Sequence, residues 1–227
     1  MKTLIDGFFR FKHDIFPGRK YAFRELAKGQ KPKALFITCA DSRVVPDLIT
    51  QSQPGDLFIC RTVGNQVPPF GSQSEGGVSS SIEYAVQALD VRHIIVCGHS
   101  DCGAMKGVLR PEKLANLPVT ASWLRNAAAA RAIVLENYEG VPDEIALHLL
   151  TEENVIMQIE NLKTHPAVAA RLAQGTLDLY GWLYYIHSGE ITTYNSKSGA
   201  FEPLSERLVA ATPPRHRQPV SHLGGAA

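Results

Sequence analysis

Residues 34–43, Ala34-Leu-Phe-Ile-Thr-Cys39-Ala-Asp41-Ser-Arg43, combine a strand pattern with three chemically reactive side chains. Five apolar or β-branched residues lead into Cys39, and an acid and a base follow it at alternate positions. A short continuous run of this kind is typical of a strand that is buried on both faces. We therefore predict a buried strand that ends at Cys39 and delivers Cys39, Asp41 and Arg43 into the turn beyond it.

A second stretch of the same kind follows some sixty residues later. His93-Ile-Ile-Val-Cys97 is predicted to be a strand, and His99 and Cys102 follow it in a tight turn. Because the carboxyl ends of neighbouring parallel strands meet at one edge of a sheet, Cys39 should lie near His99 and Cys102. Two thiolates and one imidazole are three zinc ligands, and they leave a fourth position for water. The spacing therefore predicts a catalytic zinc site rather than a closed structural one.

Strands and helices alternate along most of the chain, which indicates an α/β fold with a central, mainly parallel sheet flanked by helices. We predict strands at 34–39, 56–62 and 93–97, helices at 46–51, 78–89, 102–109, 120–137, 143–163 and 167–174, and a C-terminal antiparallel hairpin at 177–187 and 190–194. Residues 1–29 should form an N-terminal helical arm with helices at 4–15 and 21–28. We expect a single domain over 1–209 and a disordered tail over 210–227.

Composition and charge exclude several classes of function. The chain has 227 residues, of which 44% are hydrophobic, as is ordinary for one globular domain. A net charge of +1 gives no electrostatic support for binding nucleic acid or an anionic membrane. No apolar run approaches the roughly 18 residues of a membrane-spanning helix. We expect a cytoplasmic protein that binds neither nucleic acid nor membrane.

The four cysteines could in principle form two disulfides, but a reducing cytoplasm disfavours them. Cys97 competes with Cys102 for the role of zinc ligand, yet it lies inside an apolar run. Cys60 likewise lies inside the second predicted strand. We therefore assign Cys60 and Cys97 to the core.

Asp41 and Arg43 are two residues apart, so an extended turn can point both side chains the same way and pair them bidentately. A carboxylate kept ionised by arginine could accept a hydrogen bond from zinc-bound hydroxide and orient it. Zinc lowers the pKa of its bound water toward ~7 and so generates that hydroxide at neutral pH. The alternative is a surface ion pair, which contributes little. The closeness of the pair to Cys39 favours the catalytic interpretation.

Two motifs together, Cys39-Ala-Asp-Ser-Arg43 and Gly98-His-Ser-Asp-Cys-Gly103, resemble those of the β-class carbonic anhydrases, in particular bacterial members with the plant-like pocket. The resemblance runs from about Leu4 to Pro203 and includes Pro54-Gly-Asp-Leu-Phe58, Arg61-Thr-Val-Gly-Asn65, Ser81-Ile-Glu-Tyr-Ala85 and Glu153-Asn-Val155.

The resemblance implies reversible hydration of CO2 to bicarbonate and a proton. It implies one Zn²⁺ per chain, held by Cys39, His99 and Cys102, with Asp41 and Arg43 as a catalytic dyad. It further implies a homodimer or a higher assembly of dimers, because the family forms its pocket at a subunit interface.

The resemblance also assigns four residues to the substrate pocket. Gln30, nine residues before Cys39, matches a glutamine that reaches in from a neighbouring subunit. Phe58 and Tyr84 match aromatic residues that line the pocket, and the Gly103 amide matches a substrate hydrogen-bond donor. Without the resemblance, Phe58 and Tyr84 would pass as packing residues and Gln30 as a solvated loop residue.

Two positions differ from subgroups of the family. Members with an allosteric bicarbonate site usually have tryptophan three residues before the first cysteine, where this chain has Phe36. Some plant-like members have a proton-shuttling histidine four residues after the pocket tyrosine, where this chain has Ala88. We therefore expect no such allosteric site, and proton export by water, buffer or another group.

Two alternatives use the same sequence features. A hydrolase of carbonyl sulfide or carbon disulfide would need the same zinc hydroxide, since both gases are linear with an electrophilic carbon. A non-catalytic scaffold of a CO2-fixing compartment would find some support in the Pro- and Arg-containing tail. The intact set of two cysteines, histidine, aspartate and arginine argues against the scaffold, which would not need the dyad.

Overall fold

The computed structural model describes residues 1–72 and 76–205, and these form two compact units that divide between Lys31 and Pro32. The predicted tail at 210–227 lies outside the described residues. Among the described residues, no helix is long and apolar enough to cross a bilayer.

The N-terminal unit is helical, as predicted. Helix α1 (Lys2–Arg10) runs through a π-helical turn (Phe11–Ile15) into α2 (Phe16–Leu26). The sequence predicted a break at Pro17, but Pro17 lies in the first turn of α2, where a helix needs no backbone N–H. The rings of Phe16 and Phe23 lie 5.4 Å apart between centroids, and Phe11 packs on both. No residue of these helices is buried.

The second unit is built on one six-stranded sheet with the order β2-β1-β3-β4-β5-β6. The strands are β1 (Ala34–Cys39), β2 (Leu57–Thr62), β3 (His93–His99), β4 (Asp178–Tyr184), β5 (Ile191–Asn195) and β6 (Ala200–Pro203). The first four run parallel, and β5 and β6 are antiparallel. The fold class is therefore the predicted one.

The C-terminal part of the sheet differs from the predicted hairpin. A third antiparallel strand, β6, pairs with β5, and the rings of Tyr194 and Phe201 lie 5.6 Å apart across the pair. Four residues ending in proline carry too little alternation to predict a strand. Strand β4 ends at Tyr184 rather than at residue 187, because Tyr185 donates its N–H to Glu190 and begins the turn.

The helices of the second unit follow the predicted order with one difference. They are α3 (Pro46–Thr50), α4 (Gly77–Glu83) with its π-helical continuation (Tyr84–Ala88), α5 (Gly103–Leu109), α6 (Pro118–Trp123), α7 (Ala128–Asn137), α8 (Asp143–Lys163) and α9 (Pro166–Ala173). The helix predicted at 120–137 is broken by a 3-10 turn (Leu124–Ala127). The Asn126 side chain donates to the Trp123 carbonyl there, and such local bonds compete with α-helical ones.

Helix α8 packs unusually close to the sheet at two glycines. A Cβ atom at Gly98 would lie 2.8 Å from Val155 Cγ2, and one at Gly181 would lie 2.8 Å from Ile159 Cδ1. Val155 and Ile159 belong to the largest buried cluster, together with the inner residues of the parallel strands. The close approach fixes α8 against β3 and β4, next to the end of β3 that carries His99.

Candidate metal and catalytic site

Three buried ligand atoms meet where β1 and β3 end. Cys39 and His99 are the last residues of their strands, and Cys102 directly precedes α5. The two sulfurs and one imidazole nitrogen all lie within 4.8 Å of one another. All three side chains are buried, His99 and Cys102 completely. The structure thus brings together the three residues that the spacing predicted to converge, although β3 is two residues longer than predicted.

The orientation of His99 suits a metal ligand. Its Nδ1 lies 2.9 Å from the Ser100 carbonyl oxygen, so Nδ1 carries the proton and donates it. Nε2 then presents a lone pair, as in histidines whose second nitrogen is fixed by a carbonyl. Nε2 is buried and has no hydrogen-bond partner among the described residues. The nearest carboxylate oxygen, Asp41 Oδ2, is 3.8 Å away, which is too far for a hydrogen bond.

The close contact between the two thiols moves their pKa values in opposite directions. The hydrogen bond from Cys102 lowers the pKa of Cys39, and the same contact with Cys39 raises the pKa of Cys102. A second thiolate therefore needs a neighbouring cation. Two sulfurs and one neutral imidazole are a donor set that zinc prefers, so the residues fit the metal that the family resemblance implies.

The other two cysteines lie in the core, as predicted. Cys97 is fully buried, and its burial raises the pKa of its thiol to about 12. Burial also raises the pKa of Cys60. Neither thiol belongs to the cluster of metal-ligating atoms.

Asp41 and Arg43 form a closely matched pair beside the three ligands. Asp41 Oδ1 accepts hydrogen bonds from the Arg43 backbone N–H (2.9 Å) and from Nε (3.0 Å), and Oδ2 accepts one from Nη2 (2.8 Å). The bonds from the Arg43 side chain hold the pKa of Asp41 well below its usual range. The carboxylate is therefore ionised at neutral pH, and Oδ2 is the oxygen that faces His99.

Arg61 holds the turn that carries this pair, a role that the sequence analysis missed. It donates Nε to the Cys39 carbonyl (3.1 Å) and Nη2 to the carbonyls of Asp41 (2.6 Å) and Val44 (2.7 Å). On β2 it pairs in register with Thr38, one residue before Cys39. An arginine inside an otherwise apolar strand is the signal that could have pointed to this role.

Buried amides of α8 hold the loop that follows β2. Asn154 donates to the Gly64 carbonyl (3.1 Å), Gln158 accepts the Val67 N–H (2.7 Å), and Asn161 donates to the Val67 carbonyl (2.8 Å). We call Asn154, Gln158 and Asn161 the amide ladder. The loop in turn offers the Gly64 N–H to the Cys39 sulfur and helps to lower the pKa of that thiol.

Gly64 is required in this loop for two reasons. Its φ of 73° is one that side-chain-bearing residues rarely adopt. A Cβ atom there would also lie 3.0 Å from Ala104 Cβ and 3.1 Å from Met105 Cε of α5. The loop can therefore approach the metal ligands only because this residue has no side chain.

Comparisons with known proteins agree with the geometry of the site. A family model described as carbonic anhydrase matches residues 34–191. A carbonic anhydrase of Pseudomonas aeruginosa is 50% identical over 206 residues, which cover 91% of this chain and 93% of the relative. A carbonic anhydrase of Synechococcus elongatus is 49% identical over 192 residues, which cover 84% of this chain and 70% of the relative.

The chain belongs to the carbonic anhydrase family. The structure of the β-carbonic anhydrase CcaA superimposes with a TM-score of 0.90 at 43% identity, covering 93% of this chain and 94% of that one. A Coccomyxa β-carbonic anhydrase in complex with acetazolamide gives a TM-score of 0.75 at 29% identity, and the match covers 89% of this chain and 86% of that one. The protein is therefore a β-class carbonic anhydrase, a metalloenzyme, as the sequence motifs predicted.

Two predicted pocket residues of this carbonic anhydrase lie away from its metal ligands within one chain. Phe58 pairs in register with Leu35, whereas Cys39 pairs with Thr62 at the other end of the same strands. Four residues of strand separate the two positions by about 13 Å. The ring of Tyr84 lies 6.0 Å from that of Phe58 and is half exposed.

The other two predicted pocket residues lie in different parts of the chain. Gly103 is the first residue of α5, directly after Cys102, so its N–H has no acceptor within the helix. Gln30 is an exposed residue that follows α2 in the N-terminal unit. The pocket roles of all four residues stay predictions.

The amide ladder should contribute measurably to stability. Replacing Gln158 with leucine would leave the buried Val67 N–H without an acceptor, and we expect the free energy of unfolding to fall by about 2 kcal/mol. Urea denaturation of the metal-loaded protein measures the change. Glu160→Leu on the exposed face of the same helix is the matched control and should change stability little. Equal losses in both variants would contradict a specific role for the ladder.

Proposed function

We propose that this carbonic anhydrase catalyses the reversible hydration of CO2 to bicarbonate and a proton, with one zinc ion per chain bound by Cys39, His99 and Cys102. The buried cluster of two sulfurs and one imidazole nitrogen, which has no hydrogen-bond partner in the part of the chain that the structure describes, carries the proposal, because it lies directly beside the Asp41 carboxylate, whose pKa is lowered. Three protein ligands are the number found in catalytic zinc sites, whereas structural sites have four.

The proposed metal and the Asp41 carboxylate have different roles in the reaction. Zinc bound there would lower the pKa of a coordinated water toward ~7 and supply a nucleophile at neutral pH. Asp41 Oδ1 already accepts two bonds from Arg43, while Oδ2 accepts one and keeps a lone pair toward His99. Oδ2 can therefore accept a hydrogen bond from the attacking group and orient it. Because its pKa is lowered, Asp41 acts as an acceptor and does not keep the proton.

We assign the rest of the pocket to a second copy of the chain. Phe58 lies at the far end of β2 from Cys39, yet its ring and that of Tyr84 form one aromatic surface that is partly exposed. Gln30 would reach the pocket from a neighbouring subunit, as the family resemblance implies. Two β-carbonic anhydrases of Sordaria macrospora are described as tetrameric, and one of them is 29% identical to this chain. A homodimer or an assembly of dimers would complete the site.

Mixing two inactive variants tests the shared pocket. Asp41→Asn disables the metal side of the site, and Tyr84→Ala disables the aromatic side. If the two sides come from different chains, a mixed dimer has one pocket in which both residues are intact. Refolding the variants together at equal amounts should restore about a quarter of the wild-type rate per chain, since half of the dimers are mixed and each has one good pocket. Activity no higher than the average of the separate variants would contradict the shared pocket.

The choice of substrate is tested on one preparation. Initial rates with CO2 and with carbonyl sulfide should be measured on the same metal-loaded protein, and we expect CO2 to be turned over faster. Faster hydrolysis of carbonyl sulfide would favour the sulfur-gas hydrolase instead.

We place the protein in the cytoplasm. All four cysteines are free, and the proposed zinc site needs two of them as thiolates. A reducing compartment keeps such thiols available.

A further inference from the structure

Asp101 lies in the sequence between two of the proposed metal ligands, His99 and Cys102, but it is not a member of the ligand cluster. Its backbone has a φ of 59°, which turns the chain sharply between His99 and Cys102. Its carboxylate points to Arg43 instead: Oδ2 accepts Nη1 of that guanidinium at 3.1 Å. The Asp101 carbonyl oxygen accepts Nη2 at 3.3 Å. The turn between β3 and α5 is therefore hydrogen-bonded to the dyad that follows β1.

These contacts hold the Arg43 guanidinium on two sides. Asp41 accepts hydrogen bonds from Nε and Nη2 on one edge of the guanidinium, and Asp101 accepts one from Nη1 on the other. Lys106, from the first turns of α5, contacts the remaining Asp101 oxygen. The result is a row of alternating charges, Asp41, Arg43, Asp101 and Lys106. Isolated exposed ion pairs contribute little, but a planar guanidinium fixed by two carboxylates loses its freedom to rotate away.

We propose that Asp101 is a positioning residue for the catalytic dyad. It holds the Arg43 guanidinium in place, and Arg43 in turn orients the Asp41 carboxylate. The inference rests on the dyad proposed above. Asp101 acts through Arg43 and not through the metal, because its side chain is turned toward the guanidinium. Removing its charge should leave the metal bound and leave Asp41 less well oriented toward the attacking group.

Asp101→Asn is the test variant, since asparagine tolerates a positive φ and keeps the shape of the side chain while it loses the charge. We expect kcat for CO2 hydration to fall about tenfold, with KM and the zinc content unchanged, because only the orientation of the reacting groups suffers. In a crystal structure of the variant, the Arg43 side chain should no longer hold a single position on Asp41. Asp101→Gly, which suits the same φ, should be at least as slow.

Asp90→Asn is a closely matched control. Asp90 also has a positive φ (54°), pairs with an arginine (Arg171, 2.5 Å) and has a side chain 55% exposed, the same fraction as Asp101. It lies three residues before β3 begins, at the opposite end of that strand from the proposed ligands. Its replacement should leave kcat unchanged.

A double-mutant cycle with Arg43→Ala decides whether Asp101 acts through Arg43. In the Arg43→Ala background, Asp101→Asn should cause no further loss of kcat. Three results would overturn the inference: an unchanged kcat in Asp101→Asn, the same fold loss with and without Arg43, or loss of zinc from Asp101→Asn. If Arg43→Ala hydrated CO2 at the wild-type rate, that result would contradict the proposed dyad itself, and the inference about Asp101 would be contradicted with it.

Discussion

Replacing Cys102 with serine should remove the metal and the activity together. Cys102 is fully buried, and its sulfur lies within 4.8 Å of the Cys39 sulfur and the His99 nitrogen. A serine oxygen is bound to carbon more closely and does not ionise near neutral pH, so it cannot replace a thiolate as a zinc ligand. We expect less than about a tenth of the wild-type zinc after dialysis and a fall in CO2 hydration of about a thousandfold or more.

The matched control for this change is Cys60→Ser, which makes the same atomic replacement at a buried cysteine of β2. Cys60 is buried but lies outside the ligand cluster, and its thiol is within hydrogen-bond reach of Ser81. A hydroxyl there has a partner, so the control should keep its zinc and its turnover. A Cys102→Ser protein that held one zinc ion per chain as tightly as the wild type would refute the ligand assignment.

Replacing Asp41 with asparagine should have the second largest effect and should separate catalysis from metal binding. Asparagine has the same shape and can still accept hydrogen bonds from Arg43 through its carbonyl oxygen. Its NH2 group would then occupy the Oδ2 position that faces His99, where a donor replaces an acceptor. The attacking group loses the partner that orients it, so we expect kcat near neutral pH to fall about a hundredfold or more.

The zinc content of Asp41→Asn should stay at one per chain, since Asp41 is not among the three clustered ligand atoms. Stopped-flow rates normalised to measured zinc therefore report the role of the carboxylate alone. Asp56→Asn is the control: that carboxylate also accepts a backbone N–H and pairs with a lysine, but it lies before β2. Undiminished turnover in Asp41→Asn would reduce Asp41 to a surface charge.

The parts of the fold and site that the sequence predicted are those carried by local pattern. The apolar runs that end at Cys39 and Cys97 predicted two parallel strands, and parallel strands bring their carboxyl ends together. That rule was enough to place Cys39 near His99 and Cys102. The pairing of Asp41 with Arg43 followed from their spacing of two residues in a turn.

The parts that were missed depend on contacts between distant residues. The amide ladder joins Asn154 and Asn161 to a loop some ninety residues earlier, and buried amides look like exposed ones in a sequence. Asp101 reaches Arg43 across 58 residues in the same way. Strand β6 was missed because four residues carry almost no periodicity. Phe58 and Tyr84 were assigned to the pocket on the family resemblance alone, since packing explains both residues equally well within one chain, and their pocket roles stay predictions.

Stopped-flow CO2 hydration by purified protein of measured zinc content, from about pH 6.5 to 9, is the decisive measurement for the proposed zinc-hydroxide mechanism. The range brackets a zinc-water pKa near ~7. Because Asp41 stays ionised throughout this range, any rise in rate with pH reports the metal-bound water and not the dyad. We predict a rate per zinc that rises with pH and levels off at the alkaline end. No turnover above the buffer rate at any pH, with one zinc ion bound per chain, would contradict the account.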